Sequence, residues 1–163
     1  MIIEQLTQNH WAEVAQIYKD GITTKNATFR TEVPAWGNWN ESHHQHSRFV
    51  AIENGIVIGW CAIAPFSTRP AYVGVAEVSV YVSLNQLGKG IGDALMQLLI
   101  NSSEENGIWT LYSSLFPENK GSVHLHLKND FRYIGRRERI AQQDGIWRDT
   151  VLYERRSKKQ ELL

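Results

Sequence analysis

Residues 77–103 read EVSVYVSLNQLGKGIGDALMQLLINSS, a strand, a glycine-rich turn and a helix in direct succession. Val78, Val80 and Val82 alternate with Glu77, Ser79 and Tyr81, the period of a half-buried strand. The turn is Leu87-Gly88-Lys89-Gly90-Ile91-Gly92. Beyond it, Ile91, Leu95, Leu98 and Leu99 fall on one face of a helix. A glycine turn feeding a helix N-terminus makes an anion site. Its amides point outward, the helix dipole adds partial positive charge, and absent side chains let a phosphate reach the backbone. Lys89 adds a mobile cation.

Working outward, 163 residues suffice for one domain with a full core. Lysine plus arginine equals aspartate plus glutamate at 17 each, which argues against a broad basic surface for nucleic acid or anionic membrane. The single cysteine, Cys61, allows no internal disulfide, and its apolar flanks predict a packed thiol rather than a nucleophile. Glu4 and Gln5 interrupt any early apolar run, so no secretory leader is expected. No apolar run nears the ~20 residues that span a bilayer. These features predict a soluble, cytoplasmic protein.

Met1 to Leu6 reads as a short strand, and Trp11, Val14, Ala15 and Tyr18 mark one face of a first helix. Thr23 to Pro34 has no helical period and reads as an irregular loop carrying Phe29. A short helix is expected over Asn40 to Ser47. Phe49–Ile52 and Ile56–Ala64 are strands around Asn54-Gly55, a tight hairpin signal. Pro65 to Tyr72 reads as a loop, Ile108 to Phe116 as a strand, and Ser122 to Lys128 as a short helix. Tyr133–Ala141 and Trp147–Glu154 form a last hairpin near Asp144-Gly145. The domain is expected to end near residue 155, with a charged, fraying tail over 156–163. The order predicts an α/β or α+β fold with a mixed sheet.

Two familiar readings of the turn fail. A Walker loop would need Gly-Lys-Ser/Thr, and no Lys-Ser/Thr follows. A dinucleotide fingerprint would need GxGxxG early in the chain, whereas this turn is GxGxG at mid-chain after hairpin strands. The chain resembles the Gcn5-related N-acetyltransferase superfamily, in its phosphinothricin and methionine sulfoximine acetyltransferase branch. The pieces that carry the likeness are Asn26-Ala27-Thr28-Phe29-Arg30-Thr31-Glu32, Arg69-Pro70-Ala71-Tyr72, the strand from Glu77 and the GKGIG turn. Asn119-Lys120-Gly121-Ser122-Val123-His124-Leu125-His126 and Gly145-Ile146-Trp147-Arg148-Asp149 follow. Each is short; their order and spacing together are specific. The resemblance implies a GNAT-type mixed, mostly antiparallel sheet flanked by helices, with a splayed central strand.

It also implies chemistry. Acetyl transfer from a thioester to an amine must remove an ammonium proton, stabilise an oxyanion and neutralise a thiolate. By resemblance, the backbone of Val80, Tyr81 and Val82 holds the acetyl-pantetheine arm. The pyrophosphate of acetyl-CoA meets Leu87, Gly88, Lys89, Gly90, Ile91, Gly92 and Asp93, and Asn119 and Ser122 touch the cofactor. Glu77 is the implied base and His126 the implied donor to the thiolate. Phe29, Arg69, Tyr72 and Glu77 would surround a small amino-acid-like acceptor. Relatives are often homodimers. Leu87 stands where the superfamily usually has Gln or Arg, Ser67 where many relatives have Lys, and Asp130 where Gly precedes Phe131. Arg30 and Lys25 could replace the anion contact missing at Ser67, but read as ordinary surface charge. His43, His44 and His46 form a polar tract that reads as a solvated face, so no metal is expected. Trp36, Trp39 and Trp147 are candidates for a pocket or subunit contact. Two rival functions remain at this point: acetylation of a peptide or protein N-terminus, and a non-catalytic acyl-CoA-binding module.

Overall fold

The computed structural model describes residues 1–159. Seven strands form one sheet: β1 (Ile2–Gln5), β2 (Phe49–Glu53), β3 (Ile56–Pro65), β4 (Val75–Val82), β5 (Thr110–Leu115), β6 (Arg132–Gln143) and β7 (Ile146–Arg156). Their spatial order is β1-β2-β3-β4-β5-β7-β6, and every pair is antiparallel except β4 with β5. The helices are α1 (Trp11–Thr23), α2 (Trp36–Ser42), α3 (Ile91–Glu105) and α4 (Lys120–Lys128). This is the mixed sheet that the element order predicts, mostly antiparallel and flanked by helices as the resemblance implies. Among the described residues no helix is long and apolar enough to cross a membrane.

The alternation within β4 divides the core. Ala76 and Val78 point to the face covered by α3, where Leu95, Met96 and Leu99 are fully buried. Each such side chain contributes about 1.5–3 kcal/mol by leaving water. Tyr81 points to the opposite face, where α1 and α2 bring Val14, Ile17, Tyr18 and Trp39 onto Trp60 and Ala62. Cys61 lies fully buried in the first layer. Desolvation pushes its thiol up to about 12, so the packed-thiol expectation holds. Both hairpin turns have the backbone their sequences predict. Asn54 and Gly55, and Asp144 and Gly145, all have positive φ. Asp130 also takes positive φ (65°), doing at that corner what the usual glycine does.

Two expectations need correction. The short helix lies at Trp36–Ser42, and the histidine tract sits just beyond it in irregular backbone. The reason is aromatic packing: Trp36 and Trp39 are 5.8 Å apart on one helical face and both meet Trp11. His43 is therefore not part of a solvated face. Its ring stacks on Trp39 at 4.2 Å, its Nδ1 bonds the Trp39 carbonyl, and desolvation pulls its pKa down to about 4. The chain end is the second. β7 continues to Arg156, Ser157 is buried, and Lys159 pairs with Glu104, so fraying does not begin at residue 156. Residues 160–163 of the expected tail lie outside the described residues.

Glu104 closes α3 onto β7. Its side chain is 6% exposed and meets Arg155 Nη1 at 2.8 Å and Lys159 Nζ at 3.3 Å. Burial opposes its charge, but hydrogen bonds from Arg155 and Ser157 outweigh that and hold the carboxyl below its usual range. A depressed carboxyl stabilises the fold above its unfolded value of about 4.3, and that stability is lost as pH falls through the folded value. Glu104→Gln should cost about 2 kcal/mol at pH 7, below the roughly 3–5 kcal/mol for a fully buried pair because Arg155 keeps some solvent. Urea unfolding at a series of pH values checks this. The gap between wild type and variant should close as pH falls below the unfolded carboxylate value.

Candidate active site

The site begins where β4 leaves β5. Only Val75–Thr110, Ala76–Leu111 and Glu77–Tyr112 are paired. Beyond them β4 follows β3 as far as the Gly59–Val82 pair, while β5 follows β7 as far as the Leu115–Val151 pair. A V-shaped gap therefore opens between 78–82 and 113–115. The backbone of Val80, Tyr81 and Val82 on the open side has no strand beside it. That leaves amides and carbonyls available to an extended ligand.

The glycine turn lies at the wide end of this gap. Gly88 and Gly90 have φ of 77° and 80°, and Gly90 is the left-handed N-cap of α3. Side chains would strain both positions. The amides of Gly88 to Asp93 have no acceptor among the described residues. Leu87 is exposed and offers no polar group, as its identity predicts. Lys89 Nζ meets Gln86 Oε1 at 3.0 Å, so the glutamine one place early steadies the cation rather than the loop backbone. Gly92 lies under Leu125, tying α3 to α4 at this point. Asp93 is oriented by Asn129 Nδ2 at 2.9 Å and pairs with Lys128 at 3.1 Å, which holds its carboxyl below the usual range. These features fit the diphosphate and pantetheine of acetyl-CoA: free amides at a helix start, no obstructing Cβ, and an unpaired strand edge.

On the far side of the gap, Asn119 caps α4. Its Oδ1 accepts the Ser122 amide at 3.2 Å, and its Nδ2 donates to the Asn26 carbonyl at 3.1 Å. Asn119 is thus the helix cap. His126 lies one turn further on and is only 3% exposed. Its Nδ1 donates to the Ser122 carbonyl at 2.7 Å, which places the neutral ring's proton there. Its Nε2 then accepts from the Ser113 hydroxyl at 2.8 Å. Desolvation lowers its pKa, favouring the neutral form. His126 therefore reaches the gap only through Ser113, the first residue of β5 beyond its paired segment.

Glu77 stands at the vertex, on the face opposite α3. Its carboxylate is open to solvent on one side and has no hydrogen-bond partner among the described residues. Protein on its other sides desolvates it enough to raise its pKa above the usual carboxylate range. Tyr18 and Tyr81 pack beside it with tilted rings, centroids 4.9 Å apart. Burial raises the pKa of both phenols, and the nearby Glu77 charge adds to that. Arg30 opposes the rise, because its guanidinium lies close enough to act on both rings. Arg30 is exposed, as surface charge is, yet its guanidinium reaches the two phenols.

Phe29 packs edge-on against Phe116 at 4.7 Å, at the end of β5. Tyr72 and Phe66 meet at 5.6 Å over a groove of about 340 Å³, which Val75, Tyr112, Ile134 and Leu152 also line. Val75 and Tyr112, which line this groove, share the face of Glu77 on the paired strands. Arg69 heads the short turn that carries Tyr72, and Ser67 Oγ accepts its amide at 3.1 Å. Its side chain is exposed. Sequence reasoning missed Tyr18, Ser113 and the placement of Arg30. Tyr18 has the apolar spacing of a core residue, and nothing local marks a serine or arginine that a distant strand brings into place.

The acetyltransferase (GNAT) family model matches residues 11–131. A Bacillus subtilis (strain 168) protein with the provisional name phosphinothricin acetyltransferase YwnH is 35% identical over 137 residues, which is 81% of this chain and 84% of that protein. The L-methionine sulfoximine/L-methionine sulfone acetyltransferase of Pseudomonas aeruginosa is 30% identical over 95 residues, 58% of this chain and 55% of that protein. Among solved structures, a GNAT superfamily phosphinothricin acetyltransferase from Sinorhizobium meliloti, crystallised with acetyl-CoA, superposes with a TM-score of 0.89. The match covers 99% of this chain and 91% of that one at 22% identity, a likeness of fold.

Proposed function

We propose, because the chain belongs to the acetyltransferase (GNAT) family, that it acetylates the α-amine of a small amino-acid-like acceptor of the methionine sulfoximine, methionine sulfone and phosphinothricin class. The chain is an acetyl-CoA-dependent N-acetyltransferase. The observation that carries the acceptor reading is Glu77: a carboxylate of raised pKa at the vertex of the gap, on the same sheet face as Val75 and Tyr112 of the Tyr72 groove.

Acetyl-CoA supplies an activated thioester carbon. Glu77 accepts the ammonium proton, directly or through water, and its raised pKa suits a base working near neutrality. The freed amine forms the C–N bond as the C–S bond breaks, both substrates being bound together. A backbone amide of Val80 to Val82 stabilises the oxyanion. The Gly88–Asp93 amides, with Lys89, hold the diphosphate. Leu87 adds no polar contact there. His126 returns a proton to the departing thiolate through the Ser113 hydroxyl, a role supported by the 2.8 Å Nε2–Oγ contact. That relay needs the imidazolium, which desolvation disfavours, so Glu77 carries the larger share of the rate. Arg69 or Arg30 serves the acceptor carboxylate, for which a planar guanidinium fork is suited. A homodimer belongs to the same reading, supported by the exposed apolar side chains of Ile140, Ile146 and Trp147 on β6 and β7. So does a cytoplasmic location, where acetyl-CoA is made.

Release of free CoA from acetyl-CoA tests this over L-methionine sulfoximine, L-methionine sulfone, phosphinothricin, proteinogenic amino acids and short peptides. Turnover on one or more of the sulfoximine, sulfone or phosphinothricin acceptors is expected. Turnover confined to peptides would overturn the acceptor class.

A further inference from the structure

Arg148 lies on β7, two strands from β4, and touches neither Glu77 nor the glycine turn. Its side chain is nonetheless only 14% exposed and engages three separate parts of the chain. Nη1 donates to the Lys25 carbonyl at 2.8 Å and to Gln143 Oε1 at 2.5 Å. Nη2 donates to Asn26 Oδ1 at 3.0 Å and to Glu118 Oε2 at 3.3 Å. The guanidinium carbon sits 3.9 Å from the centre of the Phe116 ring, whose edge partner is Phe29. Gln143, held by Arg148, passes the grip on: its Nε2 donates to the Thr28 carbonyl at 3.1 Å. Lys25 takes positive φ (65°) and pairs with Asp144 at 3.3 Å.

We propose that Arg148 is a positioning residue for the acceptor, clamping residues 25–29 against the ends of β5 and β7 so that Phe29 stays packed on Phe116 and Arg30 stays beside Tyr18 and Tyr81. The inference rests on the acetyl-transfer reading above. The loop from 24 to 35 has no ladder of its own, so its order must come from side chains that reach it. Arginine suits this task. A planar fork bonds two carbonyl-type oxygens on each nitrogen edge while its flat face covers an aromatic ring. Lysine keeps the charge and loses the fork. The clamp holds the loop before the acceptor arrives, so binding need not order it. The Asn119 bond to the Asn26 carbonyl is a second fastening on the cofactor side. Loss of Arg148 therefore loosens the acceptor wall and leaves the α4 cap in place.

The test combines kinetics with backbone amide exchange on Arg148→Leu, Arg148→Lys and Asn26→Ala. In Arg148→Leu the KM for the amine should rise about tenfold or more, inside the roughly hundredfold cost of misplacing a reactant by about 1 Å. The KM for acetyl-CoA should stay within about twofold, since the fork makes no contact with the glycine turn. Arg148→Lys should fall between. Asn26→Ala should raise the amine KM alone, and add less in the Arg148→Leu background than in wild type. Amide exchange of residues 25–30 should quicken in Arg148→Leu while that of α3 does not. An unchanged amine KM beside lowered thermal stability would make Arg148 a purely structural residue and overturn the proposal, as would equal rises in both KM values. If Arg148→Leu fails to fold, Arg148→Lys and Asn26→Ala decide by the same two criteria. Amide exchange needs no acceptor. Wild-type protein inactive on every small amine would sink the acceptor class, while unchanged exchange at 25–30 would sink the clamp.

Discussion

Glu77→Gln should lower kcat by about a hundredfold to ten-thousandfold, the range that a positioned general base contributes. The amide keeps the size and the sheet position of the carboxylate but cannot accept the ammonium proton. Binding of acetyl-CoA, measured by calorimetry without acceptor, should be unchanged, because the glycine turn and the Val80–Val82 edge are untouched. The pH profile makes the prediction sharper. A base works only when deprotonated, and desolvation raises the pKa of Glu77. Wild-type kcat/KM should therefore climb with pH through a limb above the ordinary carboxylate range of about 4.3. The limb belongs to Glu77 and should vanish in the glutamine variant. A variant with wild-type kcat would remove Glu77 from the role. A lost rate with the acid limb intact would assign the limb to another group.

The largest stability effect is expected at a residue without a side chain. Gly74 precedes β4, and its carbonyl accepts the amides of Trp109 at 2.8 Å and Thr110 at 3.1 Å. That stitch opens the short parallel pair whose other end is Glu77–Tyr112. A Cβ added at Gly74 would lie 2.0 Å from Trp109 Cε3 and 2.3 Å from its Cδ2. Those atoms are in the body of the indole, so no small rotation relieves the overlap. Gly74→Ala should cost about 3 kcal/mol, the upper part of the overpacking range. For a chain of this size that is a fall in Tm of roughly 6–12 °C. Removing the indole should abolish most of the cost: Gly74→Ala measured in a Trp109→Ala background should lose about 1 kcal/mol or less. An equal loss in both backgrounds would show that backbone conformation, not the ring, makes glycine necessary. Because the same stitch aligns β4 with β5, the folded fraction of Gly74→Ala should also show a lower kcat.

How much of this could be read in the chain depends on the distance over which each feature is encoded. The hairpins at Asn54-Gly55 and Asp144-Gly145 are written in two adjacent residues, and the positive φ at all four follows from tight turns. The valines of β4 and the leucines of α3 announce their periods, and Gly88 and Gly90 fall where the helix start needs left-handed backbone. The helix before the histidine tract has no such local mark. Its position is set by Trp36 and Trp39 finding Trp11, a contact between segments that periodicity does not describe. The last strand outran its expected end for the same kind of reason, since Arg155 and Lys159 are held by Glu104 on α3.

The site divides along the same line. Sequence by itself determined a strand, a phosphate-ready turn and a helix, and put a carboxylate at the start of that strand. It determined these because backbone geometry and amphipathic period are local properties. Only the tertiary structure decided that β4 and β5 part after Glu77–Tyr112, which opens the gap. Only it decided that His126 lies behind Ser113, and that Arg30 reaches Tyr18 while Arg148 grips Lys25 and Asn26. Lys25 and Arg148 stand more than a hundred positions apart, and their bond exists because the sheet sets β7 beside β5. A hydrogen bond needs two groups within about 3 Å, and over such a separation only the completed fold fixes that distance.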